Sequence, residues 1–160
     1  MFMRKNVFLS VSALGFALCA CSTQTAGTSE ESEGVIALAG KEIKGAAQKG
    51  PLVTGSDVIL RETSAEGNLE PTGREFHTTT SNDKGEFHFG DLDLESQYVL
   101  LSAEGQYSRE YDGSRSECAM RLDAVTSLSN RITANINILT HFEYKRVLKL
   151  VGEGKPFAEA

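Results

Sequence analysis

Thr80-Ser81-Asn82-Asp83-Lys84-Gly85-Glu86-Phe87-His88-Phe89, residues 80–89, is the stretch whose reading decides the fold. Asn82 and Asp83 carry short side chains that hydrogen-bond nearby backbone, and Gly85 accepts a positive φ without steric cost, so the chain reverses here. Before the turn, Phe76, Thr78 and Thr80 fall on one face and Glu75, His77 and Thr79 on the other. After it, Phe87 and Phe89 share a face opposite His88. A period of two on both sides of a turn predicts two strands joined as a β-hairpin.

Working outward, the same punctuation recurs every 8 to 12 residues or so, which predicts an all-β sandwich. Residues 35–38 read as a short lead-in, and residues 43–48 and 58–62 as strands. Gly67-Asn68 and Pro71-Thr72-Gly73 read as loop, and Gly90-Asp91-Leu92 as a turn. Residues 98–103 are continuously apolar up to Ala103, as suits a central strand covered on both faces. Residues 106–111 and 115–125 flank Asp112-Gly113 as a further hairpin, in which Cys118, Met120 and Leu122 share a face and the thiol is expected to be buried and inert. Ile132, Ala134, Ile136 and Ile138 then alternate with polar residues as a last strand. Helical spacing follows: Thr140 and Glu143 fit a capping box, Tyr144, Val147, Leu148 and Val151 form one apolar stripe, and Gly152 is the stop. Pro156 opens a further helix of which only four residues remain, so the chain reads as part of a longer one.

The N-terminus sets the expected address. Arg4 and Lys5 precede an apolar run at residues 7–18, the layout of a secretory signal; a membrane span needs roughly 20 apolar residues. Leu18-Cys19-Ala20-Cys21 resembles a bacterial lipobox. The resemblance implies cleavage after Ala20, lipidation of Cys21 and a lipid anchor in the bacterial cell envelope. Ser22 stands where an aspartate in enteric lipoproteins typically marks retention at the inner membrane, so the outer membrane is the expected destination. Residues 22–34 are Ser, Thr, Gln and Gly with Glu30, Glu31 and Glu33, the composition of a flexible tether. The organisation expected is a signal peptide at 1–20, a lipidated tether at 21–40, a β-sandwich domain at 41–138, and a C-terminal helix at 139–160 that opens an extension.

Charge and cysteine content agree with that address. The 160 residues carry a net charge of −6, which becomes −8 once Arg4 and Lys5 are removed. There is no Trp and no basic stripe, so nucleic acid is excluded as a partner on electrostatic grounds. With Cys19 cut away and Cys21 acylated, Cys118 is left alone and no intrachain disulfide can form.

Residues 43–107 resemble the carboxypeptidase regulatory-like family of transthyretin-like (prealbumin-like) β-sandwiches. The matching residues are Gly50-Pro51-Leu52, Gly55-Ser56-Asp57-Val58-Ile59-Leu60, the stretch 80–89, Leu92, Tyr98-Val99-Leu100 and Ala103-Glu104-Gly105-Gln106-Tyr107. The resemblance implies a Greek-key-type sandwich that acts as a non-catalytic scaffold or binding module. The alternative is an accessory domain of a larger envelope enzyme, or a surface glycan-binding lipoprotein, whose remainder lies beyond Ala160.

No catalytic residue, metal ligand or cofactor is expected. The chain has no Gly-x-Ser-x-Gly elbow, and His77, His88 and His141 lack a second ligand at metal spacing, so they read as surface histidines. Asn82, Asp83, Asp91 and Asp93 read as turn chemistry rather than a calcium loop. A self-made isopeptide between Lys44 and Asn135 beside Glu86 would need Asn135 buried, yet Asn135 falls on the polar face of its strand. Glycan contact would need Tyr98, Tyr107 and Tyr111 in one exposed line. Beyond the membrane anchor at Cys21, an envelope protein or a glycan is the expected partner.

Overall fold

The computed structural model describes residues 34–64 and 69–160. The expected signal peptide, Leu18, Cys19, Ala20, Cys21, the expected tether up to residue 33 and Gly67-Asn68 lie outside the described residues. Seven strands and one helix follow in order: β1 Leu38–Gln48, β2 Asp57–Thr63, β3 Pro71–Thr79, β4 Glu86–Leu94, β5 Tyr98–Gly105, β6 Met120–Ser127, β7 Ile136–Asn137 and α1 Ile138–Gly152, then a 3-10 turn at Phe157–Glu159. The strands form two sheets, β4-β1-β7 and β3-β2-β5-β6. The protein is an all-β sandwich with one C-terminal helix.

The inner faces meet where the period of two places apolar side chains. Ile43 and Ala47 of β1 and Phe87, Phe89, Leu92 and Leu94 of β4 pack against Val58, Leu60, Val99, Leu101, Ala103, Leu122 and Ala124 of the other sheet. β5 is the central strand, and all six residues from Tyr98 to Ala103 are buried. Its inner face meets the opposite sheet, while Tyr98 on its outer face packs with Leu69 and Val151. A fully buried Leu or Val contributes about 1.5–3 kcal/mol relative to exposure, which makes this double coverage the main support of the fold.

The decisive stretch does reverse the chain, but it does not make a hairpin. β3 pairs with β2 and β4 with β1, so residues 80–85 arch from one sheet to the other. Asn82 caps the turn as expected, its Oδ1 accepting from Lys84 N at 3.0 Å. Asp83 instead reaches across the end of the sandwich: its Oδ1 accepts from Thr54 N at 2.9 Å and Thr54 Oγ1 at 2.8 Å. The Thr54 amide, then its hydroxyl, holds the Asp83 carboxyl below its ordinary 3.8. A depressed folded-state value adds stability that is present above the unfolded value and lost as the pH falls through the folded one. Asp83→Asn is therefore expected to flatten the acid limb of stability, read as unfolding midpoints from about pH 5 to pH 2; an unchanged acid limb would show that this contact carries no linkage.

Several boundaries differ from the sequence expectation, each because tertiary pairing overrode a local signal. β1 starts at Leu38 and runs unbroken past a register shift and Gly40 at φ 59°, so the domain begins before residue 41. Its lead-in is held by Gln97, which is 1 % exposed; its Oε1 accepts from Ile36 N at 2.7 Å and its Nε2 donates to Gly34 O at 3.1 Å. Pro71-Thr72-Gly73 is strand rather than loop, with Pro71 the first residue of an edge strand, where a missing N–H costs no ladder bond. Gly90-Asp91-Leu92 is also strand, Asp91 absorbing the irregularity at φ 52°.

The C-terminal half carries three further corrections. β6 begins at Met120, so Cys118 precedes the strand and its thiol is exposed rather than buried. The last strand is two residues long, Ile136–Asn137, preceded by a single bridge from Thr133 to Lys44. Ala134 and Ile136 are buried, Ile132 is 65 % exposed, and Ile138 already belongs to the helix. The cap is Asn137, not Thr140: Asn137 Oδ1 accepts from Leu139 N and Thr140 N at 2.9 and 3.1 Å, and Thr140 Oγ1 accepts from Asn137 N at 2.9 Å. Asn is as good a cap as Thr, and starting three residues earlier keeps Ile138 against the core. The apolar stripe lies as expected, with Val147, Leu148 and Val151 packed by Tyr98, Val125 and Phe157.

Candidate functional site

The outer face of the four-stranded sheet is polar where α1 leaves it open. Period-two alternation sends Ile59 and Arg61 of β2, Glu75 and His77 of β3, Ser102 and Glu104 of β5, and Arg121 and Asp123 of β6 outward. Register brings them into rows: His77, Ile59, Ser102 and Asp123 are successive cross-strand partners, and Arg61 stands opposite Glu75. The helix lies along β6, and its first two turns bring His141 and Tyr144 to the edge of this face.

Ser102 is the centre of the network. Its hydroxyl donates to Asp123 Oδ1 at 2.7 Å and accepts from Arg61 Nη1 and Arg121 Nη2, each at 3.2 Å. Arg61 Nε is also paired with Glu75 Oε1 at 2.6 Å, and Arg121 Nε with Asp123 Oδ1 at 3.1 Å. His141 Nδ1 accepts from the Asp123 backbone N–H at 3.1 Å, which puts its proton on Nε2. Asp123 Oδ2 lies 3.6 Å from the same nitrogen; an amide donor already occupies that lone pair, so we read the hydrogen bond and not an ion pair. Burial, then the Asp123 charge, pushes the Tyr144 phenol above its ordinary value, with Arg121 and Arg61 opposing.

The order of these bonds bears on chemistry. A Ser-His-Asp triad needs the imidazole between hydroxyl and carboxylate, so that it takes the hydroxyl proton. Here the carboxylate lies between them, and the imidazole nitrogen nearest to it is spent on backbone. The arrangement presents fixed donors and acceptors on a rigid sheet.

The tyrosines singled out in the sequence do not form a line. Tyr98 is 5 % exposed, its ring 4.9 Å from that of Phe157, so it serves the core. Tyr107 is half-buried with Lys49 Nζ 4.8 Å from its ring centre, and Tyr111 is 81 % exposed on the hairpin beyond β5. Tyr98 is buried on the outer face of β5 because Val151 and Phe157 cover it, while Tyr107 and Tyr111 lie beyond the strand.

His77 and His88 point outward as expected, beside Glu75 at 3.6 Å and Glu42 at 4.0 Å. Among the described residues no group of three or more His, Cys, Asp or Glu is placed to hold a metal ion. Asp93 Oδ1 accepts from Gly40 N at 2.9 Å between β4 and β1, Asn82 serves the turn, and Asp83 reaches Thr54 across the end of the sandwich. Asn135 Oδ1 accepts from Ala46 N at 3.1 Å on an exposed face, as do Lys44 and Glu86 stand exposed, which leaves the isopeptide without the buried setting it needs.

Sequence reasoning missed the site itself. Arg121 and Asp123 sit two apart in a strand, a signal that they share a face, but their meeting with Arg61 and Glu75 depends on a register no local pattern encodes.

No protein-family model matches this chain, and no curated protein matches it. Among solved structures, it is similar to a "putative carbohydrate binding protein" from Pseudomonas aeruginosa, at 14 % identity, with 64 % of this chain and 91 % of that chain covered and a TM-score of 0.41.

Proposed function

We propose that this is a lipid-anchored envelope protein of the outer membrane whose sandwich is a non-catalytic binding module, with the outer face of the four-stranded sheet as its recognition surface. The observation that carries the binding reading is the network around Ser102: its hydroxyl proton goes to Asp123 and two guanidinium groups converge on it. Such a surface holds polar groups in place, and the two arginines occupy the lone pairs that the Ser102 oxygen would need to act as a nucleophile. The resemblance of residues 43–107 to the carboxypeptidase regulatory-like family supports the same role, since domains of that kind usually accompany an activity that sits elsewhere. A glycan is a partner whose hydroxyl groups suit fixed carboxylate, guanidinium and imidazole groups.

The anchor rests on Leu18-Cys19-Ala20-Cys21 and on the composition of the stretch after it. Several acyl chains on one cysteine bind a bilayer stably, where a single chain binds only marginally. In bacterial expression the wild-type protein is expected in the detergent phase, with an intact mass raised by its acyl groups. Cys21→Ser should move it to the aqueous phase and remove that increment. Retention of the variant in the membrane at unchanged mass would sink the anchor.

A further inference from the structure

Resting on the recognition surface proposed above, we infer that Arg61 and Arg121 together form a binding site for one oxyanion group, a carboxylate or a sulfate. The two guanidinium groups reach the same oxygen, Ser102 Oγ, from β2 and from β6. A hydroxyl has two lone pairs, and these arginines take both while its proton serves Asp123. The two guanidinium groups are thus held side by side at one hydroxyl, each kept there by its own carboxylate, Glu75 or Asp123.

Each arginine has five donors in a planar fork. Among the described residues Arg61 uses two of them, on Glu75 and Ser102, and Arg121 uses two, on Asp123 and Ser102. The remaining N–H groups belong to side chains that are 23 % and 53 % exposed, so a ligand can reach them from solvent. Glu75 and Asp123 each accept from the Nε–H of one arginine and so hold its fork, which leaves Nη–H groups for the oxygens of a carboxylate or a sulfate. The same two carboxylates, with Glu104 in register with Arg121, limit the site to one negative group rather than a polyanion run. Half-buried Ile59, beside Ser102 in its row, and His77 beyond it give the carrier of that group an apolar and a polar contact.

The test uses the sandwich in the full chain, followed by amide chemical shifts, with three probes: inorganic sulfate, trigalacturonate and the uncharged galactotriose. Both charged probes should give saturable shifts at Arg61, Ser102 and Arg121, and galactotriose none. Arg121→Gln and Arg61→Gln should each weaken binding at least tenfold, and Arg121→Lys, which keeps the charge without the fork, about half as much on a logarithmic scale. Unfolding midpoints check each variant; Arg121, with the more exposed side chain, decides the matter if Arg61→Gln fails to fold. Trigalacturonate binding more tightly than sulfate places the oxyanion on a saccharide, and equal binding places it on a free anion. Galactotriose binding at this face as well as the charged probes do overturns the oxyanion site and leaves the recognition surface standing. No shift at this face with any probe, or charged-probe affinity unchanged by both Gln variants, overturns the site, and the first of these counts against the surface too.

Discussion

Glu62→Ala is expected to lower the unfolding free energy by about 2–6 kcal/mol, the cost of leaving two backbone amides without the acceptor they share. Glu62 points away from solvent at one end of the sandwich and is 0 % exposed. Its Oε1 accepts from the backbone N–H groups of Glu95 and Ser96, and its Oε2 from Arg74 Nη1 at 3.1 Å and Thr72 Oγ1 at 3.3 Å. One carboxylate therefore satisfies the β4–β5 turn and the start of β3 together. Its removal leaves the two amides without an acceptor, each at a cost on the order of 1–3 kcal/mol, while Arg74, 40 % exposed, keeps the Asp93 carbonyl oxygen at 2.6 Å. Glu62→Gln keeps the volume but turns one acceptor into a donor facing other donors, so it should recover only part of the loss. Glu95, 83 % exposed and 3.7 Å from Arg74, is the control, and its replacement by Ala should change stability by less than about 1 kcal/mol. Chemical denaturation of the three variants settles it; a loss under about 1 kcal/mol for Glu62→Ala would show that water replaces the carboxylate there.

The second large effect is expected at Gly85, in the arch between the sheets. Gly85 has φ 75°, and a Cβ there would stand 2.3 Å from Ala47 O on β1. The approach is enforced from both sides: Gly85 N donates to Asn82 O at 3.0 Å, and Ala47 N donates to Gly85 O at 2.9 Å. Gly85→Ala adds left-handed strain of about 1–2 kcal/mol to the displacement of a backbone carbonyl, about 1–3 kcal/mol by analogy with overpacking. A total of about 2–5 kcal/mol is expected. Gly55, at φ 82° with open space around its would-be Cβ, separates the two contributions. Gly55→Ala should show the strain alone, and equal losses at the two sites would mean that β1 yields without cost.

Particular residues show how far the sequence could be read. Phe87 and Phe89, and Val58 and Leu60, announce their faces through period two and are core, and Val99, Leu101 and Ala103 of the continuous run join them. The helix was legible from Tyr144, Val147, Leu148 and Val151, because one stripe at helical spacing has one way to be buried. Cys118 and Ile132 were misjudged for a shared reason. Each continued an alternating pattern beyond the point where a partner strand was available, and alternation does not report where pairing stops. Tyr98 was misplaced because its outer face is covered by Phe157 and Val151, more than 50 residues away in the chain.

What the sequence by itself determined is therefore the class of the fold, two-sided strands closed by an amphipathic helix, together with the reversals at 82–85 and at Asp112-Gly113. These depend on side-chain periodicity and on the φ preferences of a few residues, which are local. Only the tertiary structure decided which strands pair. Residues 80–89 carry every local mark of a hairpin, yet β3 and β4 lie in different sheets. An arch and a hairpin need the same reversal, and Phe76 and Phe87 turn inward in either; the choice depends on whether β1 and β2 offer better partners than β3 and β4 offer each other. The site on the outer face follows from that choice, since Arg61, Ser102 and Arg121 meet only because β2, β5 and β6 are neighbours.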